Sequence, residues 1–170
     1  MRRSGQVLLL AAGVLLAGLL TGAITIATVA SSSMEPTICT GDRVVLWHWG
    51  AVEQVRRGDL VTLTGPDGRG PLLKRVVALE GQRVEVDDGR LLVDGRRQVE
   101  PYLDLESVDG TFFGPVTVEP GRVFVLGDRR EFSVDSRSFG GVPRADLTGR
   151  VVLGLGAGCA DARRGAAALA

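Results

Sequence analysis

Histidine is nearly missing from this 170-residue chain: His48 is the single one, wedged between Trp47 and Trp49. A Ser-His-Asp triad would have to use that indole-flanked ring, and a satisfied or membrane-surface histidine fits the site better. Lysine is as scarce, since among twenty basic residues only Lys74 is not arginine. Either arginine-rich coding left one exception, or a group that can lose its proton when buried is needed there. Cysteine is limited to Cys39 and Cys159, far apart and without C-x-x-C spacing. That composition offers no metal-ligand cluster and calls for no cofactor. A disulfide between the two requires an oxidising compartment, and spacing alone does not decide it. An excess of one charge is also lacking. Twenty acidic and twenty basic side chains cancel, without a long same-sign run, so nothing points to nucleic acid.

What is present starts with an apolar run. Val7 to Ala30 carries no charge, and Arg2 and Arg3 precede it. Its length favours a membrane-spanning helix, and the positive-inside rule puts the N-terminus in the cytoplasm. A cleavable secretory signal ending at Thr28-Val29-Ala30 is the competing reading, disfavoured because the run exceeds the usual apolar core of such signals. The predicted organisation is a cytoplasmic N-terminus over 1–6, an anchor over 7–30, an extracytoplasmic domain over 31–155 and a disordered tail over 156–170. Gly18 and Gly22 form a G-x-x-x-G pair, common in Gly/Ala-rich spans and read as incidental.

At 170 residues, 45% hydrophobic and 24% charged, the chain is long enough for one core-forming domain once the anchor is set aside. The apolar residues fall in short β-branched runs such as "RVVLW", "DLVTLT", "LLKRVVAL" and "RVFVLGD", bounded by Gly, Pro or Asp. This pattern predicts a mainly β fold of antiparallel sheets. "DDGRLLVDG" reads as a hairpin turning at Asp88-Gly89. The "RGD" at 57–59 reads as a turn before a strand.

A serine hydroxyl is a poor nucleophile until a base takes its proton. Lys74 lies in an apolar strand where Leu73 and Val76 can exclude water, and burial lowers a lysine's pKa. An edge-strand lysine pointing to water explains the same spacing.

Four motifs, "SSSMEPT", "RRGDLVTL", "LLKRVVAL" and "GDRREFSVDSRSFG", follow the anchor in that order, with "VDGRRQVEPYL" and "VEPGRVFVLGD" between. Together they resemble the type I signal peptidases, membrane-bound serine proteases of the Ser-Lys dyad class. The resemblance covers residues 29 to about 151 and implies a signal-peptidase-type β domain behind one transmembrane helix. It implies that Ser33 is the nucleophile, Lys74 the general base and Ser31 an oxyanion donor. Ser133 would hydrogen-bond and orient the lysine amine, while Asp128, Arg130, Asp135 and Arg137 brace the active-site loops. Val29, Met34, Ile38 and Leu73 align with the apolar substrate pocket. The implied partners are the lipid bilayer and preprotein signal peptides with small residues at the first and third positions before the cut.

This chain departs from the family pattern at Arg129, usually asparagine, at Glu80, usually proline, and at Gln82, often aspartate. Those departures keep open a catalytically silent, membrane-anchored β domain that binds exported chains. A secreted β protein released after Ala30 is a second alternative.

Overall fold

The computed structural model describes residues 13, 17–18, 20–48, 54–66, 68, 70–103, 110–156 and 159. Eleven strands appear: β1 (Ile24–Thr28), β2 (Arg43–Trp47), β3 (Leu60–Thr64), β4 (Pro71–Leu79), β5 (Arg83–Asp87), β6 (Arg90–Val93), β7 (Arg96–Arg97), β8 (Phe113–Thr117), β9 (Arg122–Leu126), β10 (Val142–Pro143) and β11 (Leu147–Leu155). They form a seven-stranded sheet ordered β1-β2-β11-β3-β4-β9-β10 and a four-stranded sheet ordered β7-β6-β5-β8. The smaller sheet is an insertion between β4 and β9, which are neighbours in the larger one. All pairings are antiparallel, as the alternating apolar runs predict.

Turn chemistry sets the insertion's register. Asp88 and Gly89 adopt φ of 47° and 73°, joining the paired residues Asp87 and Arg90. Both values are positive, as a two-residue hairpin turn twisting with its strands requires. The Arg57-Gly58-Asp59 stretch is a turn, closed by Asp59 N–H donating to Arg56 O.

The core is tripartite. Val77, Ala78, Phe124 and Leu126 of the larger sheet pack on Val84, Val86, Leu91 and Val93 of the smaller. On the larger sheet's other side, Val61, Leu63, Val76, Val123 and Val125 form a second cluster. Strand β9 therefore alternates between two buried faces, which explains its unbroken apolar run. The third cluster, built on Val29, Met34, Ile38, Val44 and Leu46, lies under the segment that carries Ser33.

The anchor expected over 7–30 does not extend that far. Ile24–Thr28 is a strand paired residue for residue with β2, from Ile24 opposite Trp47 to Thr28 opposite Arg43. Its β-branched residues suit a strand. The preceding helical residues end where Thr21 N–H donates to Ala17 O and Gly22 takes a φ of 70°. A left-handed glycine just past a helix is a common stop. Gly18 faces Ile24, whose side chain would meet a Cβ there at 2.6 Å. Among the described residues no helix is long and apolar enough to cross a membrane. Residues 7–12, 14–16 and 19 of the expected anchor lie outside the described residues.

In the tail expected to be disordered, Cys159 is disulfide-bonded to Cys39, with Cα atoms 5.5 Å apart. The bond ties chain positions 120 residues apart beside the Ser33 segment. The rest of the tail beyond Gly156 lies outside the described residues.

Candidate active site

After β1 the chain is pinned by Val29 N–H donating to Asp42 O and Gly41 N–H donating to Val29 O, each at 2.8 Å. It then coils into a turn in which Glu35 N–H reaches Ser32 O and Ile38 N–H reaches Met34 O. Met34 and Ile38 sink into the third cluster, as does Val29, so Ser33 between Val29 and Met34 is held on a packed support. Only 6% of Ser33 is exposed.

Lys74 enters from β4, in register opposite Val61 of β3. It is 2% exposed, and its Nζ is hydrogen-bonded to Ser33 Oγ at 2.7 Å. Burial pulls the lysine from 10.5 down to about 8, partly opposed by the charges of Asp135 and Asp128 and assisted by that of Arg137. At pH 7 about a tenth of such lysines are neutral, against fewer than one in a thousand at the ordinary value. The edge-strand reading of Lys74 is excluded by this burial.

Ser31 Oγ lies 3.4 Å from Ser33 Oγ, a loose contact that leaves its hydroxyl beside the nucleophile. Ser133 differs from expectation. Its Oγ is buried and has no hydrogen-bond partner, so the expected bond to Lys74 is not formed. Lys74 instead directs its amine at Ser33, and Ser133 packs against Gly127. A Cβ on Gly127 would collide with the Ser133 side chain and lie 2.7 Å from Ser33 O.

The charged residues link the segments around this pair. Asp128 accepts from Thr37 Oγ1 at 2.5 Å and from Arg75 Nε and Nη2 at 2.8 and 2.7 Å. The nucleophile turn, the lysine strand and the loop after β9 thus meet at one carboxylate. Asp135 accepts from Gly127 N–H at 3.0 Å and pairs with Arg137 through Nε and Nη2 at 2.9 and 2.8 Å. It also caps the short helix α1 (Ser136–Phe139) by accepting from Arg137 N–H. Arg130 donates to Gly127 O and pairs with Glu100. Arg75, Thr37, Gly127, Glu100 and Tyr102 were not singled out by sequence reasoning. Their signal was position, since each lies inside a motif or stretch that carries the family resemblance.

Val29, Met34, Ile38 and Leu73 all belong to the third cluster, with Met34 wholly buried beneath the others. Arg129 bonds its N–H to Ser33 O at 3.0 Å and its guanidinium to Glu35 at 3.1 Å, stacking over Phe132. Glu80 accepts from Gly121 N–H, and Gln82 accepts from Leu79 N–H. The three departures thus hold turns or ion pairs of their own. His48 lies apart from the dyad: Nδ1 bonds Thr148 O at 2.5 Å and Nε2 bonds Thr25 Oγ1 at 2.7 Å. A carbonyl only accepts, so Nδ1 carries the proton and the ring is fully used in joining β1 to β11. Among the described residues no three His, Cys, Asp or Glu side chains group to hold a metal.

Residues 1–155 match the family described as signal peptidase, peptidase S26. The chain is 35% identical over 119 residues to a signal peptidase I of Bacillus licheniformis, covering 65% of this chain and 64% of that protein. It is 32% identical over 184 residues to a signal peptidase I of Mycobacterium tuberculosis, covering 72% and 62%. It thus spans somewhat under two thirds of these relatives' length. The crystal structure of a signal peptidase I from Enterococcus faecalis superposes with a TM-score of 0.52 at 31% identity, covering 57% of this chain and 96% of that one.

Proposed function

The chain belongs to the signal peptidase family, peptidase S26, and on that premise we propose that it is a membrane-bound serine endopeptidase removing N-terminal signal peptides from exported preproteins. The observation that carries this reading is the 2.7 Å hydrogen bond between Lys74 Nζ and Ser33 Oγ in a site that lowers the lysine's pKa.

Neutral Lys74 takes the Ser33 proton as Oγ forms a bond to the scissile carbonyl carbon. The resulting oxyanion is met by the Ser33 backbone N–H and the Ser31 hydroxyl. Collapse breaks the C–N bond, and the Lys74 ammonium returns the proton to the departing amine. Water then attacks the acyl-enzyme with Lys74 again as base, and Ser33 is released. Ser133 enters at the acyl stage, when Ser33 Oγ no longer serves the amine. A buried hydroxyl without a partner costs about 1–3 kcal/mol, which a bond to the neutral Lys74 amine recovers while leaving the amine's lone pair for the water. Asp128, Arg130, Asp135 and Arg137 brace the loops that hold these groups.

Substrate binding by strand addition is supported by two free edges. β1 ends the larger sheet, and β9 pairs with β4 only from Arg75 onward. An extended peptide laid there would put alternate side chains toward the cluster of Val29, Met34, Ile38 and Leu73. The family resemblance implies small residues at the first and third positions before the cut, and these would be the ones laid against that cluster.

A single-pass anchor, N-terminus inside, is supported by the uncharged residues 4–21 that follow Arg2 and Arg3, at the short end of spanning lengths. Beside it, Ile26, Trp47, Leu153 and Leu155 are exposed on one face of β1, β2 and β11, as their register requires. That face suits contact with the bilayer where signal peptides emerge. The catalytically silent alternative loses its main ground because Arg129 is paired with Glu35 rather than set against Lys74.

The test is cleavage of a preprotein by the detergent-solubilised full chain. Wild type is expected to cut once after the leader, and Ser33→Ala, Lys74→Ala and Lys74→Arg are expected to be inactive. Arginine stays protonated, so full activity in Lys74→Arg would refute the dyad.

A further inference from the structure

The stretch of the insertion after β7 meets the residues that flank the dyad. After β7 the chain leaves the smaller sheet through residues 98–103, with Gln98 N–H donating to Leu91 O and Leu103 N–H to Glu100 O. Glu100 Oε1 there accepts from Arg130 Nη2 at 2.5 Å and from Tyr102 Oη at 2.7 Å. The Tyr102 ring lies 3.8 Å beneath the Arg75 guanidinium. Arg75 is the residue after Lys74 and also donates to Gly58 O and Asp128. Arg130 donates to Gly127 O and, through its own carbonyl, accepts from Arg137. The Glu100 and Arg130 side chains are 5% and 1% exposed.

We propose that Glu100 and Tyr102 are positioning residues for the Ser33–Lys74 pair, a bracket carried by the insertion that fixes Arg75 beside the base and Arg130 beside the loop facing Ser33. The inference rests on the peptidase reading of that pair. One carboxylate oxygen and one ring reach both flanks of the dyad, and neither touches Ser33 or Lys74. Arg75 and Arg130 are fixed by opposite ends of a three-residue segment, so the distance between the two flanks is set by Glu100-Pro101-Tyr102. Burial and the adjacent Glu100 charge raise the Tyr102 pKa well above its ordinary value, so the phenol remains a donor through the working pH range. An arginine–glutamate pair at this depth is weak evidence for stability, because desolvation offsets the attraction. Its value here is geometric.

The experiment compares the solubilised full chain with Tyr102→Phe, which keeps the ring and loses the hydroxyl, with Tyr102→Leu, which loses the ring, and with Glu100→Gln. Val99→Ser, at a neighbouring site that is 90% exposed, is the control expected to behave as wild type. For Tyr102→Phe the expected result is a fall in kcat of about tenfold with KM unchanged, and a larger fall for Tyr102→Leu. The acidic limb of the kcat/KM profile should also move up from about 8, because a loosened site lets water reach Lys74 and water favours the ammonium. Tyr102→Phe changes no charge, so Asp128, Asp135 and Arg137 act on Lys74 as before. A lower melting temperature with kcat per folded molecule and the acidic limb both unchanged overturns the proposal. If Glu100→Gln does not fold, Tyr102→Phe decides alone. Folded wild type that cuts no preprotein sinks the peptidase reading itself, whereas active wild type, inactive Ser33→Ala and unaffected Tyr102 variants sink only the bracket.

Discussion

Replacing Lys74 by methionine should stabilise the fold while abolishing cleavage. In the folded protein the lysine titrates near 8, and in the unfolded chain near its ordinary 10.5. Between those values the unfolded state holds a proton that the folded state lacks, so stability rises with pH across that window. Below 8 both states are protonated and the folded state bears the full cost of a buried ammonium. That cost is about 3 kcal/mol from the size of the shift. Methionine has a similar shape and no charge, but it removes the bond to Ser33 Oγ and leaves that hydroxyl unpaired, at about 1 kcal/mol. The net expectation at pH 7 is a gain of about 2 kcal/mol, or about 4–8 °C in melting temperature. The assay is thermal melting of both proteins in the same detergent from pH 7 to 10.5. Wild type should gain about 3 kcal/mol on Lys74→Met through the interval from 8 to 10.5, so the variant's advantage should vanish within that interval and wild type should be the more stable protein at its upper end. A Lys74→Met protein less stable than wild type at pH 7, or a difference that does not change with pH, refutes the buried-ammonium argument.

Gly127→Ala should cut activity by about 100-fold or more, since its Cβ would press on Ser33 O and on Ser133. Preprotein cleavage alongside a melting curve separates this from unfolding. Reducing the Cys39–Cys159 bond, or Cys159→Ser, should lower the melting temperature by about 10 °C or more, because the bond closes a loop of 120 residues. Identical melting with and without reductant contradicts that. Arg129→Asn should cost less than about 1 kcal/mol and leave cleavage within a few-fold of wild type, because the Arg129 side chain in the Glu35 pair is 39% exposed and solvent screens the attraction. A stability loss several times larger in urea unfolding would show that the pair bears more than its exposure allows.

Period-two patterns and Asp-Gly turns made the sheets legible in the sequence, because side-chain alternation and positive φ are local demands. Ile24–Thr28 was not, since a β-branched apolar run after an apolar helix has the same hydropathy as a longer span. Only its pairing with Arg43–Trp47 separates the two. The dyad was legible through motif order, and the depth of Lys74 became visible once β3 and β9 flanked its strand. The Arg129–Glu35 pair joins residues 94 apart and had no local signal. Glu100 and Tyr102 lie in a stretch that carried the resemblance, yet their partner Arg75 comes from β4 before the insertion and their partner Arg130 from the loop after β9 beyond it. Ser133 shows the opposite limit: its motif position specified a bond that the lysine gives to Ser33 instead.

The most direct test of the Ser33–Lys74 assignment is the pH dependence of kcat/KM for preprotein cleavage by the free enzyme. An acidic limb titrating near 8, the value to which burial brings Lys74, is the predicted result. A limb near 6.5, the ordinary histidine value, that disappears in His48→Gln would contradict it.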